Sequence, residues 1–233
     1  MTVTVRPSKE RGYADLGWLQ SHHSFSFADY YDPRHMGFRA LRVINEDVIE
    51  PGTGFDTHGH RDMEIVTYVV EGALEHRDST GEHGVIRPGE VQHMSAGHGI
   101  RHSEFNPSAG EAVKLLQIWI LPRQQGLAPG YRQKLFTPED KHNRLCPIAT
   151  GDGRQGSLVI QQDAAVYAAC LEAGLSLSLP LADGRGAWMQ LISGALSVNG
   201  AQVAAGDGVA IEKVGAVDIT ASSASEFLLF DLP

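Results

Sequence analysis

Cysteine is scarce in this sequence, which has 233 residues but only two thiols, Cys146 and Cys170. Two cysteines are too few for the disulfide framework of a small secreted domain, so we expect both to be reduced. The amino-terminal residues lack the apolar stretch of a secretion signal, and nowhere do about eighteen apolar residues follow one another. These absences predict a cytoplasmic protein with no membrane partner.

Basic charge is also in short supply. Lys and Arg number 19 against 28 Asp and Glu, which gives a formal net charge of −9. Proteins that bind nucleic acids usually carry a basic face or stripe. We therefore expect no direct nucleic-acid partner, and the expected partners are small molecules or other proteins. We expect a monomer.

Long helical patterns are missing between residues 40 and 121. Short apolar runs at residues 65–70 and 115–121 alternate with turn-forming Gly, Pro, Asn and Asp. Closely spaced strands without helices between them predict an all-β sandwich or barrel. Two segments then recur in order, because residues 69–75 resemble 191–197 and residues 85–91 resemble 203–209. This recurrence predicts two copies of one β unit.

The two predicted copies differ in histidine, because none of the eleven histidines follows His142. Between the copies the composition shifts toward Pro, Gly, Arg and Gln, and the Thr-Pro-Glu-Asp sequence at 137–140 is typical of a helix start. We predict an N-terminal domain at residues 1–125, a connecting segment at 126–150 and a C-terminal domain at 151–233. Only the first could hold a histidine-rich site.

Four residues with metal-binding side chains stand in two pairs of identical spacing. His58 and His60 are two positions apart, as are His102 and Glu104. Side chains at that spacing point to one face of a β-strand. Two such strands would offer three imidazoles and one carboxylate to a single metal ion, with open coordination positions. Spacing also puts Glu64 on the face of His58 and His60, so it leaves two candidate carboxylates.

Several segments together resemble the pirin family of bicupins. Gly52, His58, His60, Glu64 and Gly72 are similar to the first motif of the cupin superfamily, and Pro88-Gly89 before a histidine-bearing strand is similar to the second. The segments similar to pirins are FSFADYY (25–31), HRDMEIVTY (60–68), EGALEH (71–76), IRPGEVQ (86–92) and MSAGHGIRHSE (94–104). The resemblance is dense from residue 13 to 121 and looser beyond.

The resemblance implies an all-β bicupin: two stacked antiparallel β-barrels of the jelly-roll type, with short helices in the connections and metal in the first barrel only. It implies the ligands His58, His60, His102 and Glu104, and leaves Glu64 a supporting role. Iron(II) is the expected ion, with manganese, cobalt, nickel, copper and zinc as alternatives. His93 and His98 depart from the usual pirin pattern; they rank below these four residues as ligands and could line the pocket instead.

Many bacterial pirins are quercetinases, which open the central ring of a flavonol with dioxygen and release carbon monoxide. The resemblance therefore implies a metal-dependent dioxygenase acting on a small aromatic enol, with Glu104 as the catalytic base that takes the hydroxyl proton. Other pirins imply the alternative of a non-catalytic, metal-dependent module that binds a protein or senses redox state. A cupin isomerase, which would turn over without consuming oxygen, is a third reading.

Overall fold

The computed structural model describes residues 2–233, which form 22 strands and one four-residue α-helix. Their contacts divide the chain into two compact units. The N-terminal unit comprises Gly12–Phe136 and Ile160–Gln162, and the C-terminal unit comprises the residues up to Arg11 with Thr137–Val159 and Asp163–Pro233. The predicted all-β bicupin fold is confirmed. Among residues 2–233, no helix has the length and apolar character needed to cross a membrane.

Short strands run through the whole chain. The first twelve are β1 (Thr2–Arg6), β2 (Gly12–Asp15), β3 (Leu19–His23), β4 (Leu41–Ile49), β5 (Gly54–His60), β6 (Glu64–Glu71), β7 (Leu74–Asp78), β8 (His83–Ile86), β9 (Glu90–Ser95), β10 (Ile100–Phe105), β11 (Val113–Ile120) and β12 (Gly130–Leu135). The helix α1 (Pro138–Lys141) follows, with Thr137 as its N-cap in a reciprocal capping box with Asp140. This confirms the predicted helix start.

The remaining strands are β13 (Cys146–Thr150), β14 (Leu158–Val159), β15 (Ala165–Leu171), β16 (Ser176–Pro180), β17 (Gly186–Ser193), β18 (Ala195–Val198), β19 (Ala201–Ala204), β20 (Gly208–Glu212), β21 (Ala216–Ala221) and β22 (Ser225–Leu232). Two 3₁₀ turns occupy Ser8–Glu10 and Arg154–Gly156.

The N-terminal unit consists of a seven-stranded sheet, in the order β12-β9-β6-β11-β4-β3-β2, and a four-stranded sheet, in the order β5-β10-β7-β8. Apolar side chains from both sheets form a buried core that includes Ile49, Val69, Leu74 and Leu115. Burial of such side chains stabilises each by about 1.5–3 kcal/mol. The four-stranded sheet carries β5 and β10, on which the predicted ligands lie.

The C-terminal unit has the same arrangement, with sheet orders β1-β20-β17-β22-β15-β13-β14 and β16-β21-β18-β19. Gly72 after β6 and Gly194 after β17 take equivalent places, each with positive φ. A Cβ would lie 2.5 Å from the Ala112 carbonyl oxygen at Gly72 and 2.3 Å from that of Ala224 at Gly194, so a side chain fits at neither position. This correspondence is what a repeated β unit predicts.

The contact-based units have other boundaries than the predicted domains. Strand β12 lies in the predicted connecting segment but pairs with β9 of the N-terminal unit. Strand β1 lies at the start of the predicted first domain but pairs with β20 of the C-terminal unit. Each seven-stranded sheet is thus completed by a strand that the repeat pattern did not reveal.

Candidate metal centre

Three of the predicted ligands meet on the paired strands β5 and β10. His58 lies directly opposite His102 in the antiparallel register. The ring centroids are 4.4 Å apart for His58 and His102, and 4.8 Å apart for the pairs His58–His60 and His60–His102. One ligand nitrogen from each of the three rings lies within 4.8 Å of the others. His102 is buried, whereas His58 and His60 are half-buried.

Hydrogen bonds fix which nitrogen of His102 carries the proton. The Nε2 of His76 lies 3.1 Å from Oδ2 of Asp78, and Nδ1 of His76 lies 3.3 Å from Nδ1 of His102. Burial alone would raise the pKa of Asp78, but hydrogen bonds from Thr80 and His76 outweigh it and lower the pKa. The ionised Asp78 therefore accepts from His76, which in turn accepts from His102 Nδ1. The Nε2 of His102 is left with a free lone pair.

The same reasoning applies to His58. Its Nδ1 lies 2.8 Å from the carbonyl oxygen of Asp56, which can only accept, so the Nε2 of His58 also presents a lone pair. The two Nε2 atoms are 3.0 Å apart. Two lone pairs at this distance repel unless a proton or a cation lies near both. The donor set therefore fits a metal ion, because neutral imidazoles with outer hydrogen bonds of this kind are the usual ligands.

Burial keeps the imidazoles of His102 and His60 neutral. It lowers the pKa of His102 to about 2 and that of His60 to about 4, with the neighbouring histidines adding to both shifts. Neutral imidazole is the form that binds metal.

Glu104, the predicted carboxylate ligand, lies further along β10. It is 2 % exposed, and the β5–β10 register shifts between His102 and Glu104, as at a β-bulge. A carboxylate oxygen of Glu104 and one nitrogen each of His102 and His76 lie within 4.8 Å of one another. His58 and His60 are not part of this set. His102 is common to both groups, so Glu104 adjoins the three-histidine cluster through it.

A chain of buried amide and hydroxyl groups holds Glu104 in place. Gln117 Nε2 donates to Glu104 Oε2 over 2.9 Å, Thr67 donates to Gln117 over 3.1 Å, and Gln92 donates to Thr67 over 3.3 Å. The other oxygen, Oε1, is buried and has no hydrogen-bond partner among residues 2–233. Burial raises the pKa of Glu104 to about 7, and Asp47 adds to the shift. An orphaned acceptor of this kind suits a metal or a substrate proton.

A cavity of about 250 Å³ opens beside these residues within the N-terminal unit. His58, His60 and Glu104 line it, and much of the remaining wall is apolar, including Phe55 and Trp119. Trp119 meets His60 edge to face at 4.9 Å. A largely apolar pocket with a few convergent polar groups is the usual form of a small-molecule site.

Comparison with known proteins places the chain in a family. The pirin profile matches residues 4–120, and a profile described as the quercetinase C-terminal cupin domain matches residues 147–232. The chain belongs to the pirin family. It is 49 % identical to quercetin 2,3-dioxygenase of Escherichia coli K12 over 232 residues, covering 99 % of each chain. It is 44 % identical to a putative quercetin 2,3-dioxygenase of Pasteurella multocida over 234 residues, also covering 99 % of each.

Solved structures of pirins agree with this fold. The crystal structure of YhhW from E. coli superposes with a TM-score of 0.97 at 48 % identity, covering all of this chain and 98 % of that one. A second structure, titled as bacterial pirin YhhW in complex with nickel(II), gives a TM-score of 0.95 at 47 % identity and covers 99 % of that chain. That related pirin therefore binds a divalent metal ion.

The rival carboxylate of this pirin, Glu64, is turned away from the cluster. It is 1 % exposed and accepts hydrogen bonds from His93 Nε2 (2.8 Å), Ser95 Oγ (2.6 Å) and the Gln161 amide (2.9 Å). Glu64 therefore supports an imidazole, but that of His93, and it does not line the cavity. The alternation argument failed because residues 61–63 separate two strands that belong to different sheets.

His93 and His98, the candidates for lining the pocket, are not part of the cavity wall. His93 is buried against Glu64, and His98 is exposed in the turn between β9 and β10. The glycines on either side of His98 have φ values of 47° and 144°, which favour glycine and let the chain bend there.

Sequence reasoning did not find several residues of the pirin site. His76, Asp78, Asp47 and Gln117 carry no motif of their own. One signal was available for the first two, because His76 and Asp78 repeat the two-residue spacing of the ligand pairs. That spacing does not show that His76 and Asp78 lie near the predicted ligands. Their place depends on strand pairing, which puts His76 opposite Glu104 in the β7–β10 register.

Proposed function

We propose that this pirin is a metal-dependent dioxygenase of the quercetin 2,3-dioxygenase type. Its flavonol substrate would react with dioxygen so that the central ring opens and carbon monoxide leaves. The observation that carries the proposal is the pair of Nε2 lone pairs of His58 and His102, 3.0 Å apart, beside a cavity of small-molecule size. The full-length identity to curated quercetin 2,3-dioxygenases supports it.

We assign His58, His60, His102 and Glu104 as the metal ligands, all of which lie in the N-terminal unit. Three neutral imidazoles and a carboxylate suit iron(II), our proposed native ion, and also manganese, cobalt, nickel or copper. A bound divalent ion would supply Lewis acidity, which lowers the pKa of an enolic hydroxyl. Other cations remain testable alternatives because the same donor set accepts them.

The protein's own groups would act on the proton and on the position of the substrate. Glu104 Oε1, which lacks a hydrogen-bond partner among residues 2–233, is the acceptor for the hydroxyl proton of the enol. A carboxyl with its pKa raised to about 7 is matched to proton exchange at neutral pH. Gln117 keeps the other oxygen fixed, while Phe55 and Trp119 provide apolar surface for aromatic rings and exclude water.

Metal content and gas balance test this proposal. Protein purified without added metal is analysed for its elements, and oxygen uptake and carbon monoxide release are then measured with quercetin. We expect both gases in equal amounts and in proportion to bound metal. Metal without oxygen uptake would favour the non-catalytic regulatory module, and turnover without oxygen uptake would favour the isomerase.

We also propose that the protein acts as a monomer in the cytoplasm. Cys146 and Cys170 are not joined in a disulfide, which suits a reducing compartment.

A further inference from the structure

The cavity contains a second buried carboxyl group that the proposed reaction does not use. Asp47 on β4 is 3 % exposed and lines the same cavity as His58, His60 and Glu104. Ser21 lies directly opposite it on β3, and the Ser21 hydroxyl donates to Asp47 Oδ1. Among residues 2–233 the other oxygen, Oδ2, accepts no hydrogen bond. Because Asp47 lines the cavity, this oxygen is available to a bound ligand.

The neighbouring polar residues are satisfied without Asp47. His23 Nδ1 and Asn45 Oδ1 are paired at 2.9 Å. Glu46, on the opposite face of β4, is paired with Lys114 at 2.8 Å. Besides Glu104, Asp47 is therefore a second acidic group of this cavity with an oxygen left for a ligand.

Folding does not explain a carboxyl at this position. Burial raises the pKa of Asp47 to about 7, so ionising it in the folded protein is costly. In the C-terminal unit the equivalent strand pair is β13 and β15, where the facing residues include Cys146 with Ala168 and Pro147 with Tyr167. The same topology therefore forms there without an acid on this strand.

We propose that Asp47, oriented by Ser21, is a recognition group for a phenolic hydroxyl of the substrate, on a ring other than the one that presents the enol to the metal. The inference rests on the proposed function and extends it, because it selects polyhydroxylated flavonols over unsubstituted ones. A phenolic hydroxyl donates to Asp47 Oδ2, and the apolar wall around it makes that hydrogen bond stronger than in water.

Two ligands separate this role from metal binding. Quercetin carries hydroxyls on its outer rings as well as the enol, whereas 3-hydroxyflavone carries the enol alone. Their dissociation constants are measured without oxygen on the metal-loaded protein, using quenching of tryptophan fluorescence, since Trp119 lines the cavity. A hydrogen bond to a buried carboxyl predicts that the wild-type protein binds quercetin about tenfold or more tightly than 3-hydroxyflavone.

Asp47→Leu, which is close in size, should abolish most of that preference and change the dissociation constant of 3-hydroxyflavone less than about twofold. Asp47→Asn, which keeps one acceptor, and Ser21→Ala should each reduce the preference in part. Glu46→Gln is the matched control, because it removes a charge from the adjacent position on the opposite face of β4, and it should leave the preference unchanged. Thermal unfolding shows whether each variant is folded. If Asp47→Leu does not fold, Asp47→Asn and Ser21→Ala provide the test in its place.

Two results would overturn the inference while leaving the proposed function in place. One is an undiminished quercetin preference in the Asp47 and Ser21 variants. The other is an equal loss of affinity for quercetin and for 3-hydroxyflavone in folded variants. Asp47 would then contribute to the shape of the cavity and not to recognition of a phenolic hydroxyl. Oxygen uptake by the wild-type protein with 3-hydroxyflavone tests the proposed function separately. If the wild-type protein neither binds nor oxidises either flavonol, both proposals fail.

Discussion

The two units share one topology but fill their interiors differently. In the C-terminal unit, strands β16 and β21 direct Leu177, Leu179, Val217 and Ile219 toward a continuous apolar core. In the N-terminal unit, the equivalent strands β5 and β10 carry His58, His60, His102 and Glu104. The fold therefore forms with hydrocarbon at these positions, and the polar residues of the N-terminal unit must serve another purpose.

Stability argues in the same direction. Apolar side chains in the core stabilise a unit by burial, whereas buried polar groups cost free energy unless they are fully hydrogen-bonded. Glu104 Oε1 lacks a partner among residues 2–233, and the two Nε2 atoms of His58 and His102 face each other. The N-terminal unit thus retains polar groups whose hydrogen bonding is incomplete, which is typical of a functional site.

The largest effect is expected from His102→Ala. This imidazole belongs to both groups of metal-binding side chains, so we expect loss of bound metal and of quercetin-dependent oxygen uptake together. Elemental analysis and an oxygen electrode measure the two. Ile219→Ala, in the core of the C-terminal unit, is the matched control, since it should lower stability by about 2–5 kcal/mol but keep the metal. Turnover by a metal-depleted His102→Ala protein would contradict the proposed mechanism.

Glu104→Gln should separate metal binding from proton transfer. We expect metal content to be largely kept while turnover falls by about two orders of magnitude or more, as for loss of a general base. Glu64→Gln is the comparison variant, because Glu64 touches His93 and Ser95 rather than the cavity, and it should lower the thermal midpoint instead. If Glu64→Gln abolished turnover and Glu104→Gln did not, the assignment of Glu104 would be wrong.

His76→Ala should weaken metal binding without removing a ligand. The variant leaves His102 Nδ1 without the acceptor that fixes its tautomer, so we expect metal affinity to fall about 10–100-fold. His76→Gln, whose side-chain oxygen can accept the same hydrogen bond, should restore part of the affinity. Competition with a coloured chelator measures it. Arg77→Ala, at the exposed position between His76 and Asp78, should bind metal like the wild type.

The smallest effect on the metal site is expected at Asp47, whose carboxyl should instead change how the stability of the fold depends on pH. Burial raises the pKa of Asp47 to about 7 in the folded protein, above the value of about 3.9 expected for an unfolded chain. Between these values the folded state holds a proton that the unfolded state has lost, so the carboxyl loses stability as pH rises. The stability gained by Asp47→Leu should therefore grow from pH 4 to pH 7, by an amount on the order of 3 kcal/mol, and level off above. A difference independent of pH in urea titrations would contradict the pKa shift.

Sequence patterns predicted the fold and the histidine cluster because both rest on short-range regularities. Turn residues and apolar runs marked the strands, and the two-residue spacing put His58 and His60 on one face. The recurrence around Gly72 and Gly194 predicted a repeat because both glycines meet the same steric demand. The absence of histidine after His142 then indicated which unit could bind metal.

Long-range pairing limited the prediction elsewhere. His58 lies fourteen residues before Gly72, and the residue fourteen before Gly194 is Pro180. Pro180 is exposed, however, and Leu177 and Leu179 take the interior positions of β16. Asp47 could not be assigned to the cavity, since its position depends on pairing of β4 with β3 and β11. The assignment of Glu104 as a ligand stays a prediction.

The pairing of β1 with β20 bears on how the chain folds during synthesis. Strand β1 emerges from the ribosome long before its partner, as the hydrogen bond between Ser8 and Asp207, 199 positions apart, illustrates. The N-terminal unit, by contrast, has all but three of its residues within 12–136, so it can fold while the rest is still being made. Strand β1 must then remain unpaired until β20 has been translated, so the seven-stranded sheet of the C-terminal unit is completed after the sheets of the N-terminal unit.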